Sequence, residues 1–141
     1  MKISFGLVMV ALLCFIPVSY AQDNAFKETI INSVEPESIS IIQLIANGEK
    51  YENKLVRIIG FVRFEFEGNA VYLTQEDYEH DLTSNGLWIS LSEDFSKSQK
   101  DIKQFDKKYC LVEGVFTMKN KGHMGLWSGA VEDIRRLQIW R

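Results

Sequence analysis

The chain has 141 residues, 46% of them apolar, and a net charge of −3 from 16 Lys and Arg against 19 Asp and Glu. That length suits one domain, and that apolar share builds a core without staples. The mildly acidic balance argues against bulk nucleic-acid binding, which rests on phosphate neutralisation, and against docking on anionic lipid.

The first segment reads as a secretory signal peptide, residues 1–21. Lys2 supplies a short positive start, and an uncharged, mostly apolar run follows from Ile3 to Ile16. Pro17 breaks the run, and Ser19-Tyr20-Ala21 places small residues where a signal peptidase reads them. Cleavage is expected between Ala21 and Gln22. The apolar run is short for a membrane span, which needs ~20 residues. The chain is therefore expected to be exported, to a periplasm in the first instance, with full secretion as the alternative. A lipid anchor on Cys14 is not expected, because Leu13 stands where a small residue is needed. Cleavage removes Lys2 and no acid, leaving 15 basic against 19 acidic residues, a net charge of −4.

Cys110 is the only cysteine beyond the signal segment, so no internal disulfide is expected. It alternates with Val112 and Phe116, which reads as a buried small hydrophobe rather than a reactive thiol.

Residues 22–38 are a polar lead-in, in which Phe26, Ile30 and Ile31 could dock one helical turn. Residues 39–141 form the domain. Ser40-Ile41-Ile42-Gln43 fits a capping box, and Ile41, Ile42, Leu44 and Ile45 make one apolar stripe. Asn47-Gly48 is expected to stop that helix at positive φ. From Leu55 to Phe66 a long strand follows, with Val56, Ile58, Val62 and Phe64 on one face and Arg57, Ile59, Phe61 and Arg63 on the other. Gly60 interrupts it where a bend would curl the strand round a barrel.

Glu67-Gly68-Asn69 reads as a hairpin turn, with a return strand over Ala70–Thr74. A polar loop spans 75–86, and Leu87, Ile89 and Leu91 alternate as a third strand. Residues 92–108 are a charged, partly helical excursion anchored by Ile102 and Phe105. A fourth strand covers Cys110–Phe116, and a glycine-bearing loop, 119–129, leads to a fifth over Asp133–Trp140. The fold class is mainly β. The expected architecture is a five-stranded, OB-like Greek-key barrel with an N-terminal helix and a helical excursion between strands 3 and 4. A small open β-sandwich is the rival.

Two strings carry a resemblance. Asn53-Lys54-Leu55-Val56-Arg57-Ile58-Ile59-Gly60 looks like the first strand of many bacterial OB-fold proteins, and Lys108-Tyr109-Cys110-Leu111-Val112-Glu113-Gly114-Val115-Phe116 like the fourth. Over roughly residues 39–140 the chain resembles small exported bacterial proteins with an anticodon-binding-like OB domain. The resemblance implies a binding module without naming a ligand, and it transfers no site residues.

Three sets of residues are candidates for function. The first is the outward strand face: Arg57, Phe61 and Arg63, joined on neighbouring strands by Tyr72 and Trp88. Aromatic and Arg side chains at such positions form an OB-fold's ligand platform. A cover made by the N-terminal helix or lead-in would close that face. The second is Gly122-His123-Met124-Gly125-Leu126-Trp127-Ser128-Gly129, in which His123 and Trp127 would line a ligand mouth, or the glycines would serve turn geometry alone. The third is Glu76, Asp77, Glu79 and Asp81 around His80, without the spacing or central glycine of a calcium loop. Glu113 lies between Leu111 and Val115 as a partly buried carboxylate, with Arg57 or Arg63 as partner.

No catalytic set assembles. Ser128 lacks the G-x-S-x-G elbow, and no pair of soft ligands has zinc spacing. No cofactor and no metal are expected. The leading expectation is an exported, non-catalytic binding module for a small ligand or an envelope protein. A small hydrolase or metal-dependent enzyme using the His123 loop is one alternative. An inhibitor or immunity-type partner of a basic protein is the other.

Overall fold

The structure is a computed structural model, described here over residues 35–92, 95–96 and 101–141. The expected signal peptide, the lead-in up to residue 34, and residues 93–94 and 97–100 of the excursion lie outside the described residues.

A closed five-stranded barrel forms the body of the domain. Its strands are β2 (Leu55–Arg63), β3 (Ala70–Tyr72), β4 (Gly86–Ile89), β5 (Lys108–Thr117) and β6 (Ala130–Ile139). Around the barrel the order is β2-β3-β4-β6-β5, and β5 pairs back onto β2. The β4–β6 pair is parallel and the other barrel pairs are antiparallel. That is the OB-like arrangement expected from the strand pattern. One short strand was not foreseen. β1, Glu37–Ser38, lies parallel on the start of β2, with the Ile39 N–H donating to the Arg57 carbonyl at 3.0 Å.

The inward alternation along β2 holds. Val56, Ile58, Val62 and Phe64 enter one core with Cys110, Val112 and Phe116 of β5 and Val131, Ile134 and Leu137 of β6. Gly60 also faces inward. A Cβ there would lie 2.5 Å from the Tyr72 carbonyl oxygen and 2.6 Å from Val71 Cγ2. Gly114 is equally confined, 2.5 Å from the Glu132 carbonyl oxygen. Bare backbone at both points lets neighbouring strands close in where the barrel curls.

Helix α1, Ile41–Ala46, stoppers one end by sinking Ile41 and Leu44 into that core. The Ser40 hydroxyl accepts the Gln43 N–H at 3.2 Å, so the expected cap is there. The Gln43 side chain bonds that hydroxyl rather than the Ser40 backbone, so the capping box is half formed. Asn47 ends that helix, as expected, but not at positive φ. Asn47 sits at φ −133°, and a second turn, α2 (Gly48–Tyr51), follows directly. Gly48 is there for proximity, since a Cβ would lie 2.7 Å from Met118 Sδ. The left-handed residue is Asn53, φ 60°, whose N–H donates to the Phe116 carbonyl.

Other boundaries moved for local reasons. The 75–86 segment is not a plain loop but carries α3, Gln75–Glu79, with a full capping box between Thr74 and Asp77. β6 starts three residues before the expected Asp133. Asp133 itself has φ 47°, beside a register shift between Glu113 and Val115. That bulge breaks the period of two on which the strand start was judged. The excursion contributes a 3₁₀ turn, Ile102–Phe105, with Phe105 anchored in the core.

Gly60→Ala is expected to cost about 1–3 kcal/mol through overpacking. Gly68→Ala, whose added Cβ meets Glu65 Cβ and Oε2 no closer than 3.3 Å and the Phe66 carbonyl at 3.8 Å, should stay within about 0.5 kcal/mol of wild type. Urea unfolding midpoints of the two variants check this, and equal midpoints would refute it.

Candidate functional site

The outward face expected to bind is present, and most of it is already packed. Phe61 lies in register with Tyr72 on β3 and Tyr109 on β5. Tyr78 of α3 lies across this row. Its ring centroid is 6.1 Å from that of Phe61 and 5.6 Å from that of Tyr72. Tyr109 meets Phe61 edge-on at 5.6 Å and takes the Gln75 N–H on its hydroxyl at 3.3 Å. Helix α3 is thus strapped over the face, and its capping box fixes where it starts. Asp77 is used up in that box. It accepts from the Thr74 N–H and hydroxyl and from the Asn85 amide. Burial acts to raise its pKa, and these bonds outweigh burial and hold it below the ordinary carboxylate value.

The 119–129 loop covers the rest. Trp127 packs edge-on against Trp88 at 5.0 Å and joins Phe61, Ala70 and Tyr72 in a second small core. Gly122, at φ 67°, makes this possible, because a Cβ would lie 2.5 Å from the Trp88 ring. The loop is tied down by the Asn120 side chain, which donates to Glu132 and accepts the Gly122 N–H. The Ser128 hydroxyl donates to the Ser84 carbonyl at 2.7 Å. The Trp127 indole N–H lies near enough to the Tyr72 phenol to affect its ionisation, but closes no hydrogen bond of ordinary geometry.

Phe61, Arg63, Tyr72 and Trp127 consequently keep only 4–6% of their surface exposed. The cover comes from α3 and the 119–129 loop, whereas α1 packs on the barrel's main core. Trp88 is half-buried, and His123 stays on the surface. Arg63 is saturated. It donates to Asp106 at 3.0 Å, pairs with Glu65, and lies 3.8 Å over the Tyr78 ring. The Tyr78 hydroxyl in turn donates to Glu65 at 2.6 Å. Asp106 also accepts the Phe64 N–H at 2.9 Å. Burial pushes its pKa up, and the Phe64 N–H and Arg63 more than reverse that.

Arg57 differs. Its Nε donates to Glu113 at 2.6 Å, the pairing the sequence pointed to, and Arg136 reaches the same carboxylate oxygen at 3.4 Å. Sequence reasoning missed Arg136, because the register of β6 on β5 is not readable through a bulge.

What remains exposed is a rim of loop tips. His123 Nε2 lies 3.6 Å from Glu67 Oε2, so the 119–129 loop comes close to the β2–β3 turn. On those two loops Phe66 is 92% exposed, Met124 82% and Leu126 49%. Phe66 and Met124 were not singled out for function from sequence. Their neighbours Glu67 and Gly125, both at positive φ, were visible only as turn formers.

The chemistry this arrangement permits is narrow. Burial pushes the Cys110 thiol up to about 11, and its Sγ lies 3.8 Å from the Phe105 carbonyl. The thiolate that a nucleophile requires is therefore absent at neutral pH. Ser128 is engaged with the Ser84 backbone, and the partner of His123 is Glu67. Among the described residues, no group of three or more His, Cys, Asp or Glu is placed to hold a metal ion. None of the described helices is long and apolar enough to cross a membrane. No family model matches the chain, and no curated protein is significantly similar to it.

Two outcomes check this account. Asp106→Asn should cost about 2 kcal/mol at pH 7, where it removes a charge-assisted bond to a buried guanidinium. Because the folded-state pKa of Asp106 is depressed, its contribution is present above the unfolded value near 3.8 and lost as pH falls through the folded one. Urea titrations of variant and wild type should therefore differ at pH 7 and converge toward pH 3, and a gap of constant size would contradict the assignment. Separately, Cys110 should resist iodoacetamide at pH 8 in native protein and react on unfolding, as followed by mass spectrometry.

Proposed function

We propose that this chain is an exported, single-domain binding module that holds a protein partner and performs no chemistry. The observation that carries this reading is the pair of neighbouring loops bearing Phe66, Met124 and Leu126 outward. Large apolar side chains on well-anchored loops are what a partner-binding surface presents. The anchoring matters energetically. A loop already held by Trp127, Asn120 and Ser128 gives up little conformational freedom on binding.

The outward aromatic face is a scaffold in this reading. Phe61, Tyr72, Trp88 and Trp127 position the loops, and His123 and the apolar tips make the contact. The resemblance to exported OB-domain proteins and the signal-like residues 1–21 support an envelope setting, periplasmic or secreted. The net acidity argues for a protein partner over an anionic bilayer. The hydrolase reading is disfavoured by the buried thiol and the engaged Ser128 hydroxyl.

A second reading, an inhibitor or immunity-type partner of a basic protein, rests on the exposed carboxylates Glu76, Glu79 and Asp81 around α3.

The test is capture from a cell-envelope extract of the source organism, using tagged protein recovered after expression of the full chain. A partner retained by wild type should be lost at least tenfold with Phe66→Ser combined with Met124→Ser, both surface changes. Retention insensitive to that double change but abolished by 0.5 M salt would favour the second reading. Turnover of a hydrolase substrate panel, lost on His123→Ala, would overturn both.

A further inference from the structure

Beside the first turn of the domain lies a small cavity, well apart in sequence from the loop tips. It has a volume of about 300 Å³ and is lined by Ser38, Ile39, Ser40, Arg57 and Ile59. Its walls come from β1, the residues entering α1, and the outer face of β2. Two aliphatic side chains, Ile39 and the 40% exposed Ile59, supply the apolar surface. The size is at the low end for ligand pockets, enough for one aliphatic side chain with a head group.

Arg57 supplies the polar feature. Its Nε is held by Glu113 Oε1, and Arg136 Nη1 reaches that same oxygen. Two guanidiniums thus share one carboxylate, which leaves one positive charge uncompensated in the trio. The remaining Arg136 donors, Nε and Nη2, bond Gln138. Among the described residues, no hydrogen bond or ion pair engages the terminal nitrogens of Arg57. Those nitrogens present two parallel N–H donors, the spacing that a carboxylate accepts bidentately. Glu113 fixes the rest of the side chain by its Nε, so the fork is pre-oriented rather than free to wander. The other charged groups near this edge, Glu37 and Lys54, are paired with each other at 4.0 Å.

We propose that this cavity binds a carboxylate borne on a short aliphatic stem, with the free Nη edge of Arg57 taking the carboxylate and Ile39 and Ile59 taking the stem. Such a group comes from the C-terminal residue of a peptide or from a short acyl chain. The site does not depend on the loop-tip surface proposed above, and its failure would leave that reading intact.

The experiment uses ¹⁵N-labelled protein recovered after expression of the full chain. N-acetyl-leucine, N-acetyl-leucinamide and octanoate are each titrated, with amide shifts recorded. Saturable shifts at Ile39, Arg57 and Ile59 are expected with acetyl-leucine, octanoate or both, and which acid binds tighter identifies the source of the group. The neutral leucinamide should bind at least tenfold more weakly. Arg57→Lys keeps the charge but loses the fork, and should weaken the acid about tenfold while leaving distant amides unmoved. Equal response to acid and amide, no saturable response to either acid, or shifts that map elsewhere would each overturn the proposal. The acid–amide comparison on wild-type protein decides the matter even if the variant fails to fold.

Discussion

Strand β2 is the member that everything else is registered against, and the constraint it imposes is close approach at Gly60. Along one edge it pairs with β5 over eight residues, and along the other with β1 and then β3. To meet partners on both edges it must coil, which brings the Tyr72 carbonyl and the Val71 side chain to where a Cβ would otherwise stand. With that curl in place, Val56, Ile58 and Val62 point into the barrel. The same curl places Arg57 and Arg63 on opposite ends of the outer face. Gly114 does the equivalent work where β5 meets β6, so the barrel closes on two points of bare backbone.

The fold was largely legible because burial imposes periodicity. A strand with one face in a core must alternate, and β2, β4 and β5 do so in the residues themselves. What escaped is where periodicity is interrupted. The bulge at Asp133 hides the start of β6, and α3 is five residues long, too short for a helical repeat to register. Its Thr74–Asp77 box is a helix-start signal that sequence reading can recognise. The surrounding Glu76, Glu79 and Asp81 made the segment look like an acidic loop instead. Asn47-Gly48 does mark the end of α1, but its glycine serves close approach to Met118 rather than a positive φ.

The candidate site was legible in composition and not in exposure. Phe61, Tyr72, Trp88 and Trp127 do share one outer region, as strand alternation and loop position suggested. Alternation tells only which side of a sheet a residue is on, and it cannot say what lands there. Here the cover arrives from α3 and the 119–129 loop, through Tyr78 and Trp127. Within the glycine-rich string, Gly122 serves that cover directly. Gly122 must lack a side chain for the two tryptophans to meet, whereas a Cβ on Gly129 would lie 2.8 Å from the Thr117 carbonyl oxygen of β5. The residues left over, His123, Met124 and Leu126, are those the loop's own geometry does not consume.

Arg57 and Arg63 differ in which of their donors are engaged. Both are outward on one strand, six positions apart, and the sequence offers nothing to separate them. Arg63 is taken by Asp106, Glu65 and the Tyr78 ring, partners delivered by the β4–β5 excursion, the β2–β3 turn and α3. Five percent of it remains accessible, and a ligand would have to break an established ion pair to reach it. Arg57 shares a single carboxylate with Arg136 and borders an open cavity. A carboxylate split between two guanidiniums cannot neutralise both, so the unmet charge stays at the surface, where water keeps it solvated. In a mildly acidic chain with so much of its outer face closed by its own loops, Arg57 keeps hydrogen-bonding capacity that the fold has not already spent.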